Sequence, residues 1–454
     1  MTPGRAQQTD FSDSRPIRSA LGIAALFFST AVVLSGVLPL WLDEILQLIE
    51  TRGTTPSQLI HLLTRHPGAA PLGYLVQQSI FSVAGYSVRL ARFPSAVFVA
   101  GAVFLTGLLG ARLGMRRPWI AATLCAAFPL TLRYACESRT YGPALFFSTL
   151  ATYLFMRLAK EPALLTAAGY CLTLMLAVYT QPYAITVGLA HIVWAACQKD
   201  LRTTLFSAVA GALAALSFAP WYVWTKSLWA SHIEDAGVHF SFSAKTPLMM
   251  FRELVGGGYW GSGLLAILFL AAVWNHRRQS RNATLLLLLI FVPTVVAIAA
   301  DAKFGYFVAT RQIMWVLPAV ALLAGLGMER LTVGGNNRPT VGIGLLFAGI
   351  CLWQDYRFFA TPKEDWAVAA AALSAEVSHG ACLVVVPEEE VRSYAFFRPE
   401  LATSNCPAPQ TVLAVTPYAT EIQRRNAISA LTAGGYSRTS AKDAGKTEIQ
   451  DYSR

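Results

Sequence analysis

Residues 19–44 read SALGIAALFFSTAVVLSGVLPLWLDE. From Ser19 to Leu42 no side chain carries a charge, and then two carboxylates follow, Asp43 and Glu44. An apolar run of this length is enough to cross a bilayer core. The next residues, Ile45-Leu46-Gln47-Leu48-Ile49-Glu50, are amphipathic. A carboxylate at that depth has bulk water on one side and hydrocarbon on the other, so it can take a proton from one substrate while a lipid delivers another. The run is too long for a cleavable leader, lacks a small-residue cleavage site and is followed by further spans.

Working outward, the same pattern recurs. The chain has 454 residues, 55% hydrophobic and only 13% charged, against roughly a quarter charged in a soluble protein. About eleven apolar windows are expected to span a membrane. They are 19–41, 92–111, 118–134, 141–158, 163–180, 183–197, 203–222, 261–274, 283–300, 312–328 and 340–355. With the N-terminus and its Arg5, Arg15 and Arg18 inside, the even turns hold Arg112-Arg116-Arg117, Arg157-Lys160, Lys199-Arg202, Arg277-Arg278-Arg281 and Arg330-Arg338. All fall on the cytoplasmic side, as positive charge requires. The net charge of +11 is therefore largely a topology signal. Basic residues dispersed over turns do not make a nucleic-acid surface.

Residues 1–356 thus read as an all-α polytopic membrane domain, with 42–91 as its first external loop. Residues 357–454 regain charge and read as a small α/β domain. Helices are expected over Lys363–Val377 and Glu421–Leu431, and strands over Ala381–Pro387 and Thr411–Thr416. With eleven spans this domain lies outside the cytoplasm. There Cys382 and Cys406 could pair, whereas the other five cysteines act as small apolar filler. No CxxC or HExxH pattern marks a metal site.

Chemistry is expected on the external loops. Helical periodicity in 44–51 and 57–65 fits helices lying in the membrane interface. His66-Pro67-Gly68-Ala69-Ala70-Pro71-Leu72-Gly73-Tyr74 fixes turns between them and the next span. Glu137-Ser138-Arg139-Thr140-Tyr141 marks the junction of spans three and four. Glu137 and Arg139 taken alone read equally well as charges that pair or snorkel at a span end. Thr180-Gln181-Pro182-Tyr183 links spans five and six, and Lys303 and Arg311 flank the entry to span ten. These two cations are placed to hold a phosphate, Arg311 through two donors at once; interface anchoring is the plainer role for Arg311. The aromatics of loop 223–260 read first as an interface belt. His191, alone in a span, reads as a packed, hydrogen-bonded histidine. Asp43 alone would read as a helix cap.

Together these residues resemble family 39 glycosyltransferases of the GT-C superfamily, the bacterial relatives of protein O-mannosyltransferases and of the lipid A aminoarabinose transferase. The resemblance covers residues 19–330. It rests on Trp41-Leu42-Asp43-Glu44, on His66-Pro67 with Pro71-Leu72 and Tyr74, and on Leu90-Ala91-Arg92-Phe93-Pro94-Ser95-Ala96. It rests further on Glu137-Ser138-Arg139-Thr140-Tyr141-Gly142, and on Arg311-Gln312 through Pro318. Two departures bear on donor and acceptor: Gln181-Pro182-Tyr183 replaces a His-Tyr-Tyr, and Gly68-Ala69-Ala70 splits the proline motif.

The resemblance implies a GT-C fold in the plasma membrane. It implies an inverting transfer of a sugar from a polyprenyl-phosphate donor to a lipid, glycan or protein acceptor at the outer face. Asp43, with Glu44, would be catalytic. Arg139, Lys303 and Arg311 would hold the donor phosphate, and His66, Glu137, Tyr141 and Tyr183 would contact substrate. A divalent ion on Glu137 or Glu44 is a lesser expectation, without a distinctive ligand set. Two other readings stay open: an O-antigen ligase or polymerase, and a lipid or sugar flippase. Charges gathered at one face without a half-repeat weigh against a transporter.

Overall fold

The computed structural model describes residues 15–65, 69–239, 243–274, 280–304, 309–331, 338–361, 364–402 and 409–454, with side chains left undescribed at 227–239, 280 and 304. The chain opens with α1 (Arg15–Leu34), α2 (Leu42–Thr51), α3 (Pro56–Leu63), α4 (Pro71–Ala84) and α5 (Val88–Arg112). There follow α6 (Pro118–Ala127), α7 (Pro129–Ala135), α8 (Tyr141–Lys160), α9 (Leu164–Thr180), a 3-10 turn Pro182–Ala184 and α10 (Ile185–Cys197). Next come α11 (Leu201–His239), α12 (Thr246–Glu253), α13 (Tyr259–Trp274), α14 (Ser280–Phe304), a 3-10 segment Thr310–Val316, α15 (Leu317–Leu331) and α16 (Arg338–Ala360). The tail contains α17 (Trp366–Ser378), β1 (Cys382–Val386), α18 (Val391–Ala395), β2 (Gln410–Val415), α19 (Glu421–Ala433), β3 (Ser437–Ala444) and β4 (Thr447–Ser453).

The apolar windows of the sequence are largely helical, and the fold is an all-α polytopic membrane architecture with a small C-terminal sheet. Among the described residues five helices are long and apolar enough to cross a membrane by length and composition: Arg15–Leu34, Val88–Arg112, Leu201–Lys226, Arg281–Lys303 and Thr310–Leu331. Other windows form shorter apolar helices, such as Leu164–Thr180 and Tyr259–Trp274. The window 118–134 is broken where Phe128 turns extended (φ −63°, ψ 128°) ahead of Pro129. A proline disfavours helical backbone at the residue before it.

The chain forms two compact units, one of residues 1–35 and 53–356, the other of 36–52 and 357–454. In the first, α15 is the hub. Every residue from Leu317 to Met328 is buried, and α15 packs against α13, α6, α14 and α5. Small residues permit this approach. A Cβ on Gly327 would meet the Leu268 carbonyl oxygen at 2.0 Å. His191 sits in a satisfied network, its two ring nitrogens 3.0 Å from the Tyr170 hydroxyl and 3.2 Å from Thr152 Oγ1, with its ring stacked 4.2 Å from Phe155.

The first span is shorter than its sequence suggests. Helix α1 stops at Leu34, and the buried Arg92 donates from Nη1 to the Ser35 carbonyl at 2.6 Å. A helix C-terminus needs such donors for its orphan carbonyls. Asp43 and Glu44 therefore do not end the first span. They occupy the first turn of a separate helix, α2, whose N-cap is Trp41 rather than Asp43. Loop 223–260 also differs from expectation, because α11 continues through it as far as His239.

In the second unit the strands run β1-β2-β4-β3, with β1 and β2 parallel and the other pairs antiparallel. Helix α2 packs against α18, and the Arg52 guanidinium lies 6.0 Å from the Phe396 ring centroid. Cys382 is disulfide-bonded, and Cys406 lies outside the described residues. The β3–β4 hairpin has no apolar alternation in β3 (SRTSAKDA) to announce it. Its turn has Gly445 at φ 57° and Lys446 at φ 76°. Two positive φ values make a hairpin turn of the primed kind. A Cβ on Gly445 would meet the Asp365 carbonyl oxygen at 1.9 Å.

Candidate active site

The site is built on the turn between α7 and α8. Glu137 and Ser138 are buried there, 7% and 2% exposed. Two motifs hold the turn. Ser95 Oγ in α5 donates to the Arg139 carbonyl at 3.2 Å. Gly73 in α4 lies so close that a Cβ on it would meet Thr140 Cγ2 at 2.3 Å and Cβ at 3.2 Å. The residues quoted above as separate motifs thus converge on one piece of backbone. Trp221 ties the neighbouring loop to α11, donating from Nε1 to the Ala69 carbonyl at 2.9 Å.

Tyr134 lies in α7, just before this turn. Its ring meets that of Tyr141 edge-on, with centroids 5.1 Å apart. Its phenol lies within electrostatic reach of Glu137, Arg311, Tyr141 and Glu253. The Arg139 guanidinium lies 5.9 Å from the Tyr141 ring centroid. Next to Tyr134, Arg133 forms an ion pair with Asp355 at 3.9 Å and is within reach of Glu137 and Glu253.

Arg311 enters on the 3-10 segment Thr310–Val316, which kinks at Ile313 (φ −127°, ψ 24°). That segment packs against α8, α14 and the turn Pro182–Ala184. The Thr310 hydroxyl donates to the Glu253 carboxylate. Chemically this is a mixed cluster. Guanidinium groups can stabilise a departing phosphate, and carboxylates and phenols can hold hydroxyl-bearing substrates.

Four sequence-predicted residues therefore come together: Glu137, Arg139, Tyr141 and Arg311. Tyr183 lies on the turn that touches the Arg311 segment, and Lys303 lies in the last turn of α14, which touches it too. His66 lies outside the described residues. Asp43 and Glu44 belong to the other unit, where Asp43 is half-buried and Glu44 fully buried. Sequence reasoning missed Arg133, Tyr134, Glu253, Thr310 and Asp355. Arg133 and Asp355 carried a signal, since each is a charge inside or at the edge of an apolar window. Glu253 and Thr310 carried none. Among the described residues no group of three or more His, Cys, Asp or Glu gathers as a metal would need.

The helical order matches solved structures along nearly the whole chain. ArnT from Cupriavidus metallidurans in the apo state superposes with a TM-score of 0.57 at 11% identity, covering 95% of this chain and 98% of that one. The chain has the GT-C glycosyltransferase fold. ArnT bound to undecaprenyl phosphate matches with a TM-score of 0.55 at 13% identity over the same shares of the two chains. A further solved structure of similar fold is the archaeal oligosaccharyltransferase AglB from Archaeoglobus fulgidus, in complex with an inhibitory peptide and a dolichol-phosphate. It matches with a TM-score of 0.55 at 13% identity, over 91% of this chain and 65% of that one. No protein-family profile and no curated protein sequence matches the chain.

Proposed function

We propose that this chain is a membrane glycosyltransferase that moves a sugar from a polyprenyl-phosphate donor to an acceptor hydroxyl at the outer face of the plasma membrane. The observation that carries the reading is the packing of the Arg311 segment against α8, which begins at Tyr141 beside Glu137 and Arg139, within a GT-C fold. The prenyl phosphates bound to ArnT and AglB support the donor class. The disulfide at Cys382 supports an oxidising, external location for the C-terminal unit.

In this reading the acceptor oxygen attacks C1 of the sugar. The C1–O bond to the phosphate breaks, the electron pair leaves with the prenyl phosphate, and the hydroxyl proton passes to Asp43. A single displacement inverts C1. General base catalysis of this kind contributes about 10²- to 10⁴-fold. Arg139, Lys303 and Arg311 stabilise the phosphate as charge develops on it. Glu137, Tyr141, Tyr183 and His66 contact sugar or acceptor.

The test is transfer from a synthetic prenyl-phosphate sugar by the purified full chain, wild type against Asp43→Asn. The variant keeps the side chain's size and removes the base. Wild-type transfer with a drop of about a hundredfold or more in the variant is expected. Transfer at the wild-type rate by Asp43→Asn would remove Asp43 from the mechanism.

A further inference from the structure

The turns 112–117 and 329–338 carry five arginines, Arg112, Arg116, Arg117, Arg330 and Arg338, against one acid, Glu329. Packing brings them to one end of the helix bundle. There α5 and α15 finish, α6 and α16 begin, and α6 packs against both α5 and α15. The Glu329 carboxylate accepts from the backbone N–H groups of Arg116 at 3.2 Å and Arg117 at 2.6 Å. Arg117 Nη1 donates to Thr340 Oγ1 at 3.2 Å. The Arg112 guanidinium lies 4.4 Å from the Tyr153 ring centroid and donates to its hydroxyl at 3.0 Å. Arg116 and Arg338 are exposed.

An apolar wall descends from these cations. Side-chain contacts between α16 and the α6–α7 stretch follow the same order along both. The Arg117–Thr340 bond comes first, Phe128 then meets Phe347 edge-on at 5.6 Å, and the Arg133–Asp355 pair closes the far end. Trp119 follows Arg117 by two residues, and Val341 and Leu345 occupy the first two turns of α16 after Arg338; they are 41%, 51% and 69% exposed. A cationic rim above an apolar strip is the shape of an amphiphile's binding site. Guanidinium forks suit the non-bridging oxygens of a phosphodiester, and basic pockets between membrane helices take anionic headgroups.

We infer that this end of the bundle binds an anionic phospholipid, its headgroup phosphate held by Arg116 and Arg338 and its acyl chains lying on Trp119, Val341 and Leu345. The apolar wall favours a lipid over a free anion, which has no use for it. The inference is independent of the proposed transfer reaction.

The experiment compares the full chain in nanodiscs of pure phosphatidylcholine and of phosphatidylcholine with phosphatidylglycerol. Wild type is expected to unfold at higher temperature in the anionic discs, with a shift that shrinks at high salt as exposed charges are screened. The double variant Arg116→Gln/Arg338→Gln loses that shift, whereas Arg425→Gln, far along the chain in α19, keeps it. Native mass spectrometry of the wild type gives a second measurement, with phosphatidylglycerol retained over phosphatidylcholine. Three results would overturn the inference: a double variant that keeps the lipid-dependent shift, equal retention of the two lipids, or equal stabilisation by inorganic phosphate in neutral discs.

Discussion

Thr310 donates its hydroxyl hydrogen to the carboxylate of Glu253, which joins helix α12 to the residue immediately before Arg311. The two are 57 positions apart in the chain. A hydrogen bond to a charged group contributes about 1.5–3 kcal/mol, so the bond fixes where the Arg311 backbone lies. If Arg311 holds the donor phosphate, Thr310→Val will lower transfer by roughly tenfold to a hundredfold. Thr310→Ser, which keeps the hydroxyl, will retain most of it. Initial rates with a synthetic donor check both variants.

Arg311 itself distinguishes a shaped donor from a point charge. Lysine supplies the charge but not the planar fork. Arg311→Lys is therefore expected to raise the KM for the prenyl-phosphate donor by about tenfold, with Arg311→Ala worse again. The KM for the acceptor should change little. A rise in acceptor KM of the same size would show that Arg311 shapes the whole pocket instead.

Gly73 predicts a stability effect. A Cβ there would stand 2.3 Å from Thr140 Cγ2, and overpacking of this sort costs about 1–3 kcal/mol. Gly73→Ala will lower the thermal midpoint. Adding Thr140→Ala removes the clashing methyl and will recover part of the loss, a non-additivity that a double-mutant cycle reads directly.

The C-terminal unit has a pH dependence with a definite sign. Burial holds the Glu390 carboxyl above its ordinary value of 4.5, against a hydrogen bond from Ser393 Oγ at 2.7 Å that lowers it. Its folded-state pKa is thus raised above that of the unfolded chain. The stability it contributes is fully present below pH 4.5 and is lost as pH rises through the folded value. Glu390→Gln removes the titrating group. Relative to this variant, the wild-type chain will lose stability as pH climbs above about 4.5 toward neutrality. Thermal melts of both proteins across that range check it.

Much of the helical frame was legible in residue order alone. An apolar run long enough to span hydrocarbon has few alternatives to a helix, because backbone polar groups there must be satisfied within the segment. The helices over 88–112, 141–160 and 317–331 follow from that rule. So does the junction Glu137-Ser138-Arg139-Thr140-Tyr141, since the return of charge marks a span's end. The early stop of α1 is hidden by a run that stays uncharged as far as Leu42, although Gly36 and Pro39 are local helix-stop residues. What no local pattern shows is that Arg92, 57 residues away, donates to the Ser35 carbonyl at that end.

Composition and local periodicity by themselves determined a polytopic helical protein with a small sheet domain at its C-terminus. Folding alone decided three further things: that residues 36–52 join that C-terminal unit, that Tyr134 sits among Glu137, Arg311 and Glu253, and that Thr310 finds Glu253. The reason is physical. Hydrophobic length and helical period are properties of neighbouring residues, whereas a hydrogen bond or ion pair between distant loops depends on which helices pack side by side, and no local pattern encodes that choice.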